Sequence, residues 1–253
     1  MRGFRAPAMV ILVVVGLWIR PAAHAQIPDP LAIDKVHYKL EVENEWARAF
    51  RELMAPRETM PMHQHPAPGA VIVFLTDRHN RLTSPEGVGR ELRDHAGDVM
   101  WAPASAHQSE NLTDGPFEAV QIEPRPAVAA AHPFTVDQKM DATVVDREHY
   151  HVELENEYAR VLRVTIGPHE KLRLHKHPDT GAVLVYLTDQ NMRITLADGT
   201  RRPSRYAAKS VRWVEPGPAH QDENLSDTPL RFIRVELKLG YTTSGNSGPQ
   251  EAR

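Results

Sequence analysis

Two short stretches carry the residues best suited to chemistry: HQHPAPGAV, from His63 to Val71, and HKHPDTGAV, from His175 to Val183. In each, two histidines stand two apart. Side chains alternate faces along a strand, so His63 and His65 share one face, as do His175 and His177. A third histidine follows each pair: His107 comes 42 residues after His65, and His220 comes 43 after His177. Each sits just past a proline-containing turn, APASAH or EPGPAH, so a distant strand can return it to the pair. Three converging imidazoles suit a transition-metal ion, because imidazole is neutral at working pH and ligates zinc, iron, copper and nickel. The chain has no Cys, which excludes thiolate ligands, a thiol nucleophile and disulfides. Metal chemistry must rest on His, Asp and Glu. The candidate metal ligands are His63, His65, His107, His175, His177 and His220.

One HxH could be a surface accident or a packed pair. The repeat argues otherwise. HYKLEVENEWAR, beginning at His37, matches HYHVELENEYAR, beginning at His149, at an offset of 112 residues. GAVIVFLTD matches GAVLVYLTD at the same offset, and HQSENLTDGP matches HQDENLSDTP at 113. Six of the 14 histidines therefore fill three matched positions in both copies, while the sequence around them has drifted. A period this long marks a duplicated domain rather than a solenoid of short repeats.

The elements that must hold these side chains read as strands. YKLEVE, YHVELE, FEAVQIE and FIRVELK alternate apolar and polar residues, and AVIVFL and AVLVYL are short, β-branched and apolar. Asp198-Gly199, between MRITLA and TRRPSRY, is a hairpin signal. No long segment shows a 3.6-residue period, although the linker could hold a helical turn. Each copy is expected to be an all-β barrel or sandwich of about 90 residues. The boundaries read as copy one at 34–125, an Ala- and Pro-rich linker at 126–145, copy two at 146–239, and a polar, disordered tail at 240–253.

Residues 1–25 read as a secretory signal: Arg2 and Arg5, an apolar run of about 11 residues from Met9 to Ile19, and Ala23-His24-Ala25 before Gln26. The run is short of the ~20 residues that span a bilayer. A periplasmic or secreted protein is expected, with no membrane attachment after cleavage. Loss of Arg2, Arg5 and Arg20 moves the formal charge from −3 to −6. That balance argues against nucleic acid as a partner, and leaves a small-molecule substrate or ligand, with a homo-oligomer open.

The histidine motifs resemble the cupin superfamily. Its first motif is Gly, five residues, H-x-H, three or four residues, Glu, six residues, Gly; its second is Gly, five residues, P-x-G, two residues, His, three residues, Asn. Copy one has His63-x-His65, then Gly97, Pro103, His107 and Asn111; copy two has His175-x-His177, then Pro216, His220 and Asn224. The resemblance covers both copies, so the chain looks like a bicupin of two tandem jelly-roll barrels. The wording HxHP…LTD and EN-L-D most resembles the small bacterial cupins associated with beta-alanine degradation. Two departures stand out. The Glu positions hold Gly69 and Ala70, and Gly181 and Ala182, while Lys209 replaces the second-motif Gly in copy two.

The resemblance implies a divalent metal held by three histidines without a carboxylate. Such an ion keeps its charge and one to three open positions. Fe(II) is favoured, with Zn, Mn, Ni and Cu also compatible. Cupin dioxygenases acting on thiols, diketones and gentisate share this ligand set, which implies an oxygenase of small organic acids. The alternative is a non-catalytic periplasmic protein that binds a metal or small ligand, and a weaker one is an isomerase or lyase using the metal as Lewis acid. No general base is apparent. Glu110 and Glu223 stand three past the third histidines, with the opposite strand parity. Arg173 shares the parity of His175 but has Pro61 as its counterpart. Trp101 and Trp213 precede the third histidines at matched places and are expected in core packing first and a pocket wall second.

Overall fold

Alternation of apolar and polar residues produces strands almost throughout the computed structural model, which describes residues 26–125 and 134–238. The expected export segment, part of the linker and the tail lie outside the described residues. Strands β1 (Tyr38–Glu43), β2 (Ala47–Met54), β3 (Thr59–Gln64), β4 (Gly69–Phe74), β5 (Arg78–Thr83), β6 (Gly89–Asp94), β7 (Val99–Pro103), β8 (Ala106–Asn111) and β9 (Phe117–Pro124) form the first barrel. Strands β10 (Tyr150–Glu155), β11 (Ala159–Ile166), β12 (Ala182–Tyr186), β13 (Gln190–Leu196), β14 (Arg201–Tyr206), β15 (Val211–Val214), β16 (His220–Asn224) and β17 (Leu230–Leu237) form the second. Each barrel has one five-stranded sheet, ordered β1-β2-β9-β4-β7 or β10-β11-β17-β12-β15. The opposing sheet is β3-β8-β5-β6 in the first barrel and β14-β13-β16 in the second. The counterpart of β3 in the second barrel makes only isolated bridges, among them His175 to His220. The expected hairpin joins β13 and β14, with Gly199 in the left-handed region at φ +85°.

The only helices among the described residues are α1 (Pro30–Ile33) and α2 (Ala142–Val145), each capped by an aspartate, Asp29 or Asp141. Each lies in an arm ahead of its barrel. The two arms repeat at the same offset of 112 residues, with Asp34 and Asp146 also matched. Each arm packs on the barrel it precedes: Gln64 N–H donates to Pro28 C=O in the first, and Lys176 N–H donates to Met140 C=O in the second. The packing units thus begin ahead of residues 34 and 146.

Burial divides into three apolar clusters. Two fill the barrels: Phe50, Met60, Phe74 and Phe117 in the first, Leu162, Leu172, Tyr186 and Phe232 in the second. The third lies between the barrels, where the outer faces of the two five-stranded sheets meet. Its 13 buried residues come from both copies, including Ala49, Val71, Ile122, Val161, Val183 and Val235. Trp101 and Trp213 pack against this layer, and Trp101 stacks on Tyr158 with ring centroids 5.4 Å apart. The tryptophans therefore serve core packing between the barrels. Arg51 donates to Lys209 C=O, and its counterpart Arg163 donates to Gly97 C=O, each at 2.7 Å. Such reciprocal contacts make the interface approximately two-fold. Lys209 holds φ +67° where copy one has Gly97 at +90°; its ammonium meets Glu118 of the first barrel, offsetting part of that backbone cost.

Candidate metal and ligand site

β3 and β8 run antiparallel with His63 directly opposite His107, so one cross-strand pair and one residue of the same parity assemble the first trio. His175 and His220 meet in the same way, with His177 beside them. In both copies one ligand atom from each of the three imidazoles lies within 4.8 Å of the others. The structure thus brings together all six histidines selected from the sequence, three in each barrel.

The second ring nitrogens are already committed. His63 and His175 donate from Nδ1 to the carbonyls of Pro61 and Arg173, both at 2.8 Å. His65 and His177 donate from Nδ1 to Glu123 and Glu236, both at 3.0 Å. His220 Nδ1 reaches Pro218 C=O at 3.1 Å, and His107 Nδ1 reaches the Ser105 hydroxyl at 3.3 Å. A donating Nδ1 leaves Nε2 with its lone pair, the tautomer a metal ligand needs. Tyr38 and Tyr150 place their hydroxyls 3.0 Å from Nε2 of His63 and His175. A polar relay backs each glutamate. Asp29 accepts from Arg48, which also donates to Glu123; in the second barrel Arg160 donates to Asp141 at 2.8 Å and to Glu236 at 2.7 Å.

Sequence reading missed Glu123 and Glu236, and with them Tyr38, Tyr150, Arg48 and Arg160. All six sit at matched positions of the repeat, which is the signal that could have found them. The glutamate positions of the family motif are closed to side chains at Gly69 and Gly181. A Cβ on Gly69 would lie 2.3 Å from the carbonyl oxygen of Ala102, and one on Gly181 would lie 1.9 Å from the Trp213 ring. Gly69 also holds φ +124°. Gly69→Ala is expected to cost about 3 kcal/mol or more, through backbone strain and overlap together, measured as a lower urea midpoint with an unchanged slope.

Other sequence candidates fall outside the trios. Glu110 pairs with Arg81 at 3.1 Å and Glu223 with Arg193 at 3.2 Å, on the face opposite the imidazoles. Arg173 is exposed and turns to Val145 C=O and Glu148. Besides Glu236, the second barrel buries Asp222, two residues past His220 and so of its parity, 3.8 Å from His220 Nε2. The first barrel has Ser109 there and buries Glu52, which accepts from Gln121 at 2.6 Å. Burial raises the Glu52 carboxyl above its usual value, against the lowering effect of that hydrogen bond.

Burial pushes His63 down to about 4, and burial followed by repulsion from His63 and His65 pushes His107 down to about 3. Burial likewise lowers His175 and His177. These rings are neutral at neutral pH. Because the folded state resists their protonation, stability is fully present above the ordinary value of 6.5 and is lost as pH falls from there toward 3. Metal-free protein is expected to melt at progressively lower temperature across that window, with a flatter profile for His63→Asn.

No family model matches the chain. One curated relative, oxalate decarboxylase OxdC of Bacillus subtilis (strain 168), is 33% identical over 73 residues, 28% of this chain and 19% of that protein. The chain thus matches less than a fifth of that relative's length. Among solved structures, AerE from Microcystis aeruginosa superposes with a TM-score of 0.56 at 14% identity, over 83% of this chain and 97% of that one. Oxalate decarboxylase from Bacillus subtilis superposes with a TM-score of 0.52 at 14% identity, over 81% of this chain and 75% of that one. The shared barrels, the duplicated order of strands and the two three-histidine clusters agree: by fold the chain is a bicupin, two cupin barrels in tandem.

Proposed function

We propose that this bicupin holds a divalent metal ion in each barrel, on His63, His65 and His107 and on His175, His177 and His220, and acts on a small organic acid. One observation carries the reading: in both barrels three imidazoles converge while hydrogen bonds turn their Nδ1–H groups away from the point of convergence. The donor set fits a borderline ion such as Fe(II), Mn(II) or Zn(II). When bound, the ion supplies a positive centre with coordination positions open to a ligand. The chain's own part is to orient the rings through Glu123 and Glu236, to exclude water with the apolar barrel wall, and to offer Asp222 as a buried proton acceptor beside His220.

Fe(II)-dependent oxygenation of the acid is the reaction class we favour, because three neutral ligands leave room for both a chelating acid and dioxygen. The stretch shared with oxalate decarboxylase favours a second reading, decarboxylation of the acid. The pattern of residues 1–25 supports export to the periplasm or beyond. The test is elemental analysis of untagged protein, followed by incubation with a panel of small carboxylic acids in a sealed oxygen electrode. Iron with acid-dependent oxygen uptake supports the oxygenase. Carbon dioxide release without net oxygen uptake supports the decarboxylase. Bound metal with neither outcome supports a binding protein, and no stoichiometric metal overturns the proposal.

A further inference from the structure

The two barrels share an imidazole trio but not a wall. Where the first has Glu52 and Gln121, the second has Val164 and Arg234 at the repeat-equivalent positions. In the first barrel Gln121 spends its amide on Glu52 at 2.6 Å, and Arg78 donates to Asp94 at 2.6 Å. The remaining cation of that cavity, Arg90, is exposed. In the second barrel Arg234 is buried and donates from Nε to Glu236 Oε1 at 2.9 Å. Among the described residues no other carboxylate pairs with Arg234, so its terminal nitrogens lack an anionic partner. Met100 of the first barrel becomes Arg212, which lies over the Tyr206 ring at 4.5 Å and has no carboxylate partner among the described residues. Arg234 and Arg212 line one cavity with His177 and His220. That cavity measures about 350 Å³, against about 100 Å³ beside the trio of the first barrel.

A buried guanidinium that meets a carboxylate only through Nε keeps its terminal N–H groups for a second one, and its planar fork matches a carboxylate. We infer that the barrels divide the work: the second binds the acid, with Arg234 and Arg212 taking a carboxylate beside its imidazole trio, and the first does not bind it. This deepens the metal reading above and rests on it. Asp222, which replaces Ser109 in the same cavity, sets a limit on charge: the ligand presents its carboxylate to the arginines and an uncharged or hydrogen-donating group toward Asp222 and His220.

Calorimetric titration of metal-loaded protein with glycolate, lactate and 3-hydroxypropionate, each a carboxylate with a hydroxyl donor, tests this, with metal content read on the same samples. One equivalent of acid per chain is expected. Arg234→Gln, which installs the residue of the first barrel, is expected to weaken binding by about 10- to 100-fold, the worth of one charge-assisted hydrogen-bond pair. Metal per chain should stay unchanged. Arg212→Met, also a first-barrel residue, keeps the test independent of the Arg234–Glu236 contact and should weaken binding in the same direction. The reciprocal pair Glu52→Val with Gln121→Arg should raise the stoichiometry toward two. Equal binding in both barrels of the unaltered protein, undiminished binding in both arginine variants, or no binding of any of the three acids overturns the inference. Each of those results leaves the metal reading standing, whereas absence of metal overturns that reading instead.

Discussion

Replacing His63 and His65 together by alanine should remove one of two metal equivalents per chain, and replacing His175 and His177 should remove the other. Each pair supplies two of three ligands, and His63 and His175 are almost wholly buried, at 1% and 0% exposure. A single imidazole, His107 or His220, would then face a cavity enlarged by two rings. Loss of an outer-sphere partner alone weakens metal binding by about 10- to 100-fold, so loss of two ligands should leave no retention through desalting. The quadruple variant should hold no metal at all. Plasma emission analysis after desalting reads the outcome, with circular dichroism confirming that the barrels persist. Unchanged metal in both double variants would sink the site assignment, whatever activity the protein shows.

The second large effect concerns stability. Glu236 is wholly buried, and its two oxygens serve Arg160 at 2.7 Å, Arg234 at 2.9 Å and His177 at 3.0 Å. Glu236→Ala strands the buried Arg234 guanidinium, leaves Arg160 with Asp141 alone, and frees the His177 ring to turn. Removing one member of a buried ionic cluster typically costs about 3–5 kcal/mol. Glu123→Ala in the first barrel should cost less: Arg48 keeps Asp29 just as Arg160 keeps Asp141, but Gln121 stands where the second barrel has Arg234, so no guanidinium loses its only carboxylate. Urea unfolding of the metal-free proteins measures the difference. Equal destabilisation by the two substitutions would show that Arg234 does not depend on Glu236 for its charge.

The sequence made the duplication, the strand alternation and the histidine trios legible, because each leaves a periodic mark. What it hid were the polar residues behind the trios, and the reason lies in β9 and β17. Both alternate, a pattern that usually means one face in the core and one in water. Here Val120 and Ile122, with Val235 and Leu237, face the layer between the barrels, while Phe117, Gln121 and Glu123, with Phe232, Arg234 and Glu236, face a barrel interior. Both faces are buried. The glutamates that hold His65 and His177 thus have the periodicity of solvent-facing side chains. Asp222 is hidden for a different reason: the copies differ there, Ser109 against Asp222, so the repeat does not mark it. Differences between the repeats, as much as identities, mark where the barrels diverge in chemistry.

The apolar layer of 13 buried residues between the sheets has a consequence for how the halves belong together. Each half covers the hydrophobic flank of the other, so either one made alone would present a broad sticky face and should self-associate. Two separately produced halves, refolded as a mixture, should dock into one particle through that flank, because the adhesive is the side-chain contact and not the peptide that joins them.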